Sequence, residues 1–168
     1  MMVALLFCGA MTTMFTSCKS DDENEPVSDK IVKAEFEYTF VVEGINDACS
    51  AVNITYTGAD GTEVTEVMSG TNLTKNVVRT TIPATGKMSV QLVFKSADAI
   101  TEDYYKLSVA MTLSATGYNA KGGRMASNDN TEYQYINNFN VKEYVKDGHT
   151  SMTLNGVSAT VNREDVII

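Results

Sequence analysis

Over much of the chain hydrophobic and polar residues alternate with a period of two. Ala34, Phe36, Tyr38, Phe40 and Val42 are interleaved with Lys33, Glu35, Glu37 and Thr39. Met88, Val90, Leu92 and Phe94 alternate with Lys87, Ser89, Gln91 and Lys95, and Tyr105, Leu107, Val109, Met111 and Leu113 with Lys106, Ser108, Ala110 and Thr112. Successive side chains of a strand point to opposite faces, so each segment is expected to be a strand with one buried and one wet face. At helical spacing the third segment would group Tyr105, Ser108, Val109 and Thr112, which is no apolar stripe. Shorter strands are expected over 52–57, with Val52, Ile54 and Tyr56 inward, and over 63–68 and 77–82.

Turn chemistry punctuates these runs. Ala59-Asp60-Gly61, residues 83–86 and Asp147-Gly148 read as turns. Asn155-Gly156 is the strongest signal, predicting a two-residue hairpin between strands at 151–154 and 157–161. The stretch 117–130 has no periodicity and reads as one long connection, a natural place for function. About nine or ten strands and no helix are expected. One-sided alternation is the mark of antiparallel sheets, so the predicted fold is an all-β antiparallel sandwich, immunoglobulin-like or related. A lipocalin-like barrel is the alternative, but the Gly-x-Trp motif associated with lipocalins cannot occur in a chain without Trp.

Residues 1–17 carry no charge and include Val3, Ala4, Leu5, Leu6, Phe7, Met14 and Phe15, the length of a signal-peptide core. A bilayer-spanning helix needs about 20 mainly apolar residues. Here Thr12, Thr13, Thr16 and Ser17 dilute the run before five acidic residues arrive between 21 and 29. The sequence Phe15-Thr16-Ser17-Cys18 resembles the processing site of bacterial lipoproteins, with small residues before a cysteine that becomes acylated. Lys19-Ser20-Asp21-Asp22-Glu23 is similar to the acidic export tag of Bacteroidota-type surface lipoproteins. The resemblance covers residues 1–25, departs from the pattern in having no Lys or Arg before the apolar core, and implies a lipid-anchored protein on the outer membrane, facing the exterior. The expected organisation is a signal peptide over 1–17, lipidated Cys18 with an acidic tether over 18–30, and a single domain over 31–168.

Charge and cysteine use narrow the partners. Net charge is −8, and residues 31–168 hold 11 Lys and Arg against 16 Asp and Glu. Nucleic acid and anionic headgroups reward clustered positive charge, so neither is an expected partner beyond the lipid anchor itself. Within the domain Cys49 is the one cysteine, which reads as a small buried hydrophobe.

Candidate chemistry is sparse. His149 is the only histidine, too little for a zinc site with Cys49, and no Gly-x-Ser-x-Gly elbow accompanies it. Glu35 with Glu37, or Asp98 with Glu102 and Asp103, could pair as hydrolytic acids or line the wet side of the fold. Asn128-Asp129-Asn130 with Glu132 offers oxygen ligands but fails the EF-hand pattern. Tyr133 and Tyr135 share a face that continues through Asn137 to Phe139 and Val141, either as core of a bent strand or as exposed rings on which a sugar could stack. The expectation is a non-enzymatic module without metal or cofactor. It would bind a glycan or protein through Tyr118, Arg124, Asn128, Asp129, Tyr133 and Tyr135, with an envelope assembly subunit as the alternative and a small hydrolase after that.

Overall fold

The computed structural model describes residues 30–164. The expected signal segment 1–17, Cys18 and the expected tether as far as residue 29 lie outside the described residues, as do 165–168.

Eight strands form among the described residues: β1 (Ile31–Glu43), β2 (Cys49–Thr57), β3 (Glu63–Val67), β4 (Asn72–Arg79), β5 (Ala84–Phe94), β6 (Tyr105–Asn119), β7 (Arg124–Phe139) and β8 (Ser151–Val161). They build two four-stranded sheets, here sheet A in the order β4-β1-β6-β7 and sheet B in the order β3-β2-β5-β8. Every pairing is antiparallel. The two sheets are open and face each other, so the fold is the expected all-β sandwich and not a barrel.

The alternation explains the core. Phe36, Tyr38, Phe40 and Val42 on β1 and Leu107, Val109, Met111 and Leu113 on β6 are buried from sheet A, while Val52, Ile54, Val90 and Leu92 meet them from sheet B. Burying each such side chain contributes about 1.5–3 kcal/mol. Tyr38 is wholly buried and its hydroxyl donates to the Thr57 carbonyl at 3.1 Å, a polar tie between the sheets. At the β3–β4 side the Lys75 ammonium lies 2.6 Å from Glu66, which also accepts from the Tyr56 hydroxyl at 2.5 Å.

Several expectations are corrected. The stretch 117–130 is not a long loop. β6 runs on to Asn119 and β7 starts at Arg124, leaving a four-residue turn in which Asn119 Oδ1 accepts from the amides of Lys121 and Gly123. Asn155-Gly156 is not a hairpin either, because β8 passes straight through it with a bulge opposite Met88. A Cβ on Gly156 would sit 2.9 Å from both the Met111 sulfur and the Met88 carbonyl oxygen, so this glycine serves a close approach inside a strand. Gly86, expected in a turn over 83–86, likewise lies within β5, pressed against Phe36 and Tyr38. The strand expected over 77–82 is β4, displaced toward the N-terminus: at this sheet edge only Leu73 of residues 72–76 packs on the core, between exposed Asn72 and Thr74, so the apolar alternation that would mark the strand is weak.

Among the described residues, besides single 3-10 turns at Asn46–Ala48 and Ala97–Ala99, one α-helix was unforeseen, α1 (Val141–Lys146). Asn140 caps it by accepting from the Glu143 amide. Its end is a Schellman turn, with Gly148 at φ 93° donating to Val145 and His149 donating to Tyr144. The Tyr144 and His149 rings stack at 4.3 Å over that turn.

Candidate functional site

The outer face of sheet A gathers five of the six expected binding residues. β7 is an edge strand paired to β6, with Tyr118 opposite Arg124, Ser114 opposite Asp129, Ala110 opposite Tyr133 and Ser108 opposite Tyr135. Side chains two apart on β7 share a face, so Asp129, Thr131, Tyr133 and Tyr135 point outward together. Asn128 belongs to the other row, toward the sandwich interior, with Asn130, Glu132 and Gln134.

Tyr133 and Tyr135 are 59% and 52% exposed, which decides between the two sequence readings: they are surface rings and not core. Phe139, although in the same odd-numbered series, packs inward against Phe94 and Tyr144. The switch is local. The β6–β7 register shifts between Tyr105 and Leu107, and Asn138 adopts φ 57°. Val141 then starts α1 and does not prolong the strand face. The Tyr133 hydroxyl lies 3.3 Å from Ser108 Oγ, a diagonal neighbour on β6. That contact turns the Tyr133 hydroxyl toward β6, where its direct partner is the small Ala110.

Cross-strand registers lay out the rest of the face. One row reads Thr74, Thr39, Thr112 and Thr131 across all four strands. Its hydroxyls pair at 3.2 Å between Thr39 and Thr74 and 3.0 Å between Thr112 and Thr131. The adjoining row reads Asn72, Val41, Ala110 and Tyr133. Acids flank these two rows, Glu43 on one side and Glu37 with Asp129 on the other.

Tyr118 and Arg124 stand apart from the tyrosine pair, at the end of the sheet where β1 begins. The Lys33 ammonium sits 4.4 Å from the Tyr118 ring centre and 2.7 Å from Glu35 Oε1. The Lys33 hydrogen bond holds the Glu35 carboxyl below the usual range, and the Tyr118 hydroxyl adds to the effect. Burial, and then the hydrogen bond to Glu35, raise the Tyr118 hydroxyl in turn. These side chains satisfy one another.

The acid pairs are now located. Glu35 and Glu37 face solvent on β1 beside a shallow depression of about 430 Å³ that also touches Asn76, Val78, Ser114 and Thr116. A general acid needs a raised pKa, and Glu35 is shifted the opposite way. Asp98, Glu102 and Asp103 lie in the irregular β5–β6 connection. Asn128, Asn130 and Glu132 share the inward row of a regular strand and Asp129 lies on the opposite face, so the four are strung along an extended backbone and do not wrap around a point as a calcium loop would. Among the described residues no three His, Cys, Asp or Glu side chains come together as a metal set. Cys49 is buried, and burial pushes its thiol up to about 11.

Sequence reasoning missed the threonine row and the part played by Ser108. Thr39 and Thr112 were visible as polar positions, but their lateral alignment depends on strand order. No protein-family model matches the chain, and comparison with curated proteins and with solved structures finds no significant match.

Proposed function

We propose that the protein is an outer-membrane-anchored surface lipoprotein whose sandwich is a non-enzymatic binding module, and that it takes its ligand on the outer face of sheet A. The observation that carries the binding half of this reading is the exposed pair Tyr133 and Tyr135, with the Tyr133 hydroxyl 3.3 Å from Ser108 Oγ. Exposed amphipathic rings on a rigid strand offer a large contact area at small entropic cost. A glycan is favoured, because ring faces match the C–H faces of sugars while the neighbouring Thr, Ser and Asn side chains match their hydroxyls. No cofactor enters the reading.

The anchoring half rests on the resemblance of residues 15–23 to lipoprotein processing and export signals, and the chain direction fits it. A tether from Cys18 enters the domain at Ile31, whereas the tyrosine pair is aligned with Val41 and Glu43. Ten residues of strand at ~3.4 Å each set the pair about 34 Å from the point of attachment. The binding end would therefore stand away from the membrane.

Cells given an alkyne palmitate analogue should label the wild-type protein and not Cys18→Ala, and external protease should remove the domain from intact cells. Absence of label with an intact leader in the mass spectrum sinks the anchor. A glycan array probed with the mature protein should give signal that is lost in Tyr133→Ala/Tyr135→Ala; a silent array removes the glycan version. The assembly alternative draws on β7, a sixteen-residue edge strand. It ranks second because Glu132 occupies the inward row, and inward charge is a device that keeps edges from pairing.

A further inference from the structure

We infer that the ligand of this face is an uncharged, linear glycan held by an internal stretch of its chain and not by its end. The inference rests on the binding reading above and specifies the ligand that reading leaves open.

Charge comes first. The Thr74-to-Thr131 row and the Asn72-to-Tyr133 row are uncharged across all four strands. Glu43 borders this band on one side and Glu37 and Asp129 on the other. A polyanion laid on the band would bring its charges against carboxylates on both sides, and like-charge approach costs binding. A neutral polymer meets no such penalty.

Shape comes second. Both ends of the band are edge strands, β4 and β7, and three strand spacings of ~4.8 Å make it about 14 Å wide. Thr74 and Thr131 at those ends are exposed, as is Tyr133. A chain lying across the strands can therefore run off both edges, which no end-recognising pocket permits. Affinity must then accumulate over several sugar units, each with a modest share from the Tyr133 ring or from a paired threonine hydroxyl.

Affinity electrophoresis of the full mature protein tests this against soluble neutral polysaccharides (mixed-linkage glucan, xyloglucan, galactomannan and arabinoxylan) and two polyanions (polygalacturonate and heparin). At least one neutral polymer should retard the protein, and Tyr133→Ala should weaken that binding by about tenfold or more. Tyr133→Phe keeps the ring and should keep most of the binding, while unchanged thermal unfolding of both variants shows that the fold is intact. Competing mono- and disaccharides from the same polymer should be about a hundredfold weaker than long oligosaccharides, since they span one contact instead of several. If only the polyanions bind through the tyrosine face, or if a monosaccharide competes as well as the polymer, this inference is wrong while glycan binding by the face survives. If binding ignores Tyr133 and Tyr135, or no carbohydrate binds, the glycan reading falls with it.

Discussion

Cys49 opens β2 with 7% of its surface exposed, and burial pushes its thiol up to about 11. Only the thiolate is a nucleophile, so the folded protein at pH 8 should resist iodoacetamide, with alkylation becoming fast once denaturant unfolds it; rapid single-site labelling of the native protein would contradict the burial. Glycines separate two kinds of constraint at the same scale. A Cβ on Gly86 would come 2.6 Å from the Tyr38 hydroxyl and 2.8 Å from Phe36 Cδ1, in a core with no slack. Gly86→Ala should therefore cost about 1–3 kcal/mol through overpacking. At Gly148 a Cβ would meet nothing within 4 Å, but φ is 93°. Gly148→Ala should cost about 1–2 kcal/mol from backbone strain alone. Urea unfolding distinguishes the two, because Gly86→Asn should be at least as harmful as Ala whereas Gly148→Asn, which tolerates positive φ, should recover stability. The sequence signalled both glycines as turn residues, and one of them was a packing residue: the neighbours that decide this, Phe36 and Tyr38, are about fifty positions away.

Strands were legible where burial enforces strict alternation, as in β1, β5 and β6, and poorly legible where it does not. β7 is the clearest case. Its interior row holds Asn128, Asn130, Glu132 and Gln134, and its outer row Ser127, Asp129 and Thr131, so neither face reads as hydrophobic. The strand exists because β6 offers an unbroken ladder of partners from Leu107 to Gly117, and tertiary pairing overrides weak intrinsic β-propensity. α1 escaped notice for the opposite reason: at six residues it is too short to show a helical period. Its Asp147-Gly148 exit was visible only as a turn, and its Asn140 cap gave no signal that was read. The inward Glu132 on the β7 edge carries a prediction of its own. Asn130 Nδ2 reaches the Ser158 carbonyl on β8 at 3.2 Å, and Gln134 holds Glu132 at 3.0 Å, so this edge is finished with polar contacts. Replacing the carboxylate with an apolar β-former, Glu132→Ile, should leave an unguarded sixteen-residue edge and promote self-association at raised concentration. Light scattering that shows the variant as free of association as the wild type would mean that Glu132 does not guard the edge.

Across the whole molecule, fold class followed from composition and period, but strand order did not. Most connections pass from one sheet to the other, so neighbours in sequence are seldom neighbours in a sheet. The candidate face exists only through that order, because Thr74, Thr39, Thr112 and Thr131 come from four separated segments. Tyr133 and Tyr135 could be nominated from the sequence, while the neutral band beside them could not. The same global arrangement sets the pH range of stability. Glu35, Asp60 and Glu66 have carboxyl pKa values below the usual range, owing respectively to hydrogen bonds from Lys33, from Thr62 and from Lys75. A lowered folded value contributes stability above the unfolded value, about 4, and that contribution is lost as pH falls through the folded one. At the other extreme Tyr38 is raised to about 12 by burial, Tyr56 to about 12 by its hydrogen bond to Glu66, and Cys49 to about 11 by burial. Raised values contribute fully below the unfolded values, about 9 to 10, and that stability is lost as pH climbs through the folded ones. Melting temperature followed by circular dichroism should therefore form a plateau from about pH 5 to 9 and fall on both sides. The alkaline fall should be the steeper, since ionising Tyr38 places a charge between the sheets and the acidic pairs are solvent-screened. Tyr38→Phe should lower the plateau by about 1 kcal/mol, through loss of the bond to Thr57, and soften the alkaline limb. A melting temperature that keeps rising beyond pH 10 would show that the buried phenol is not what limits the fold there.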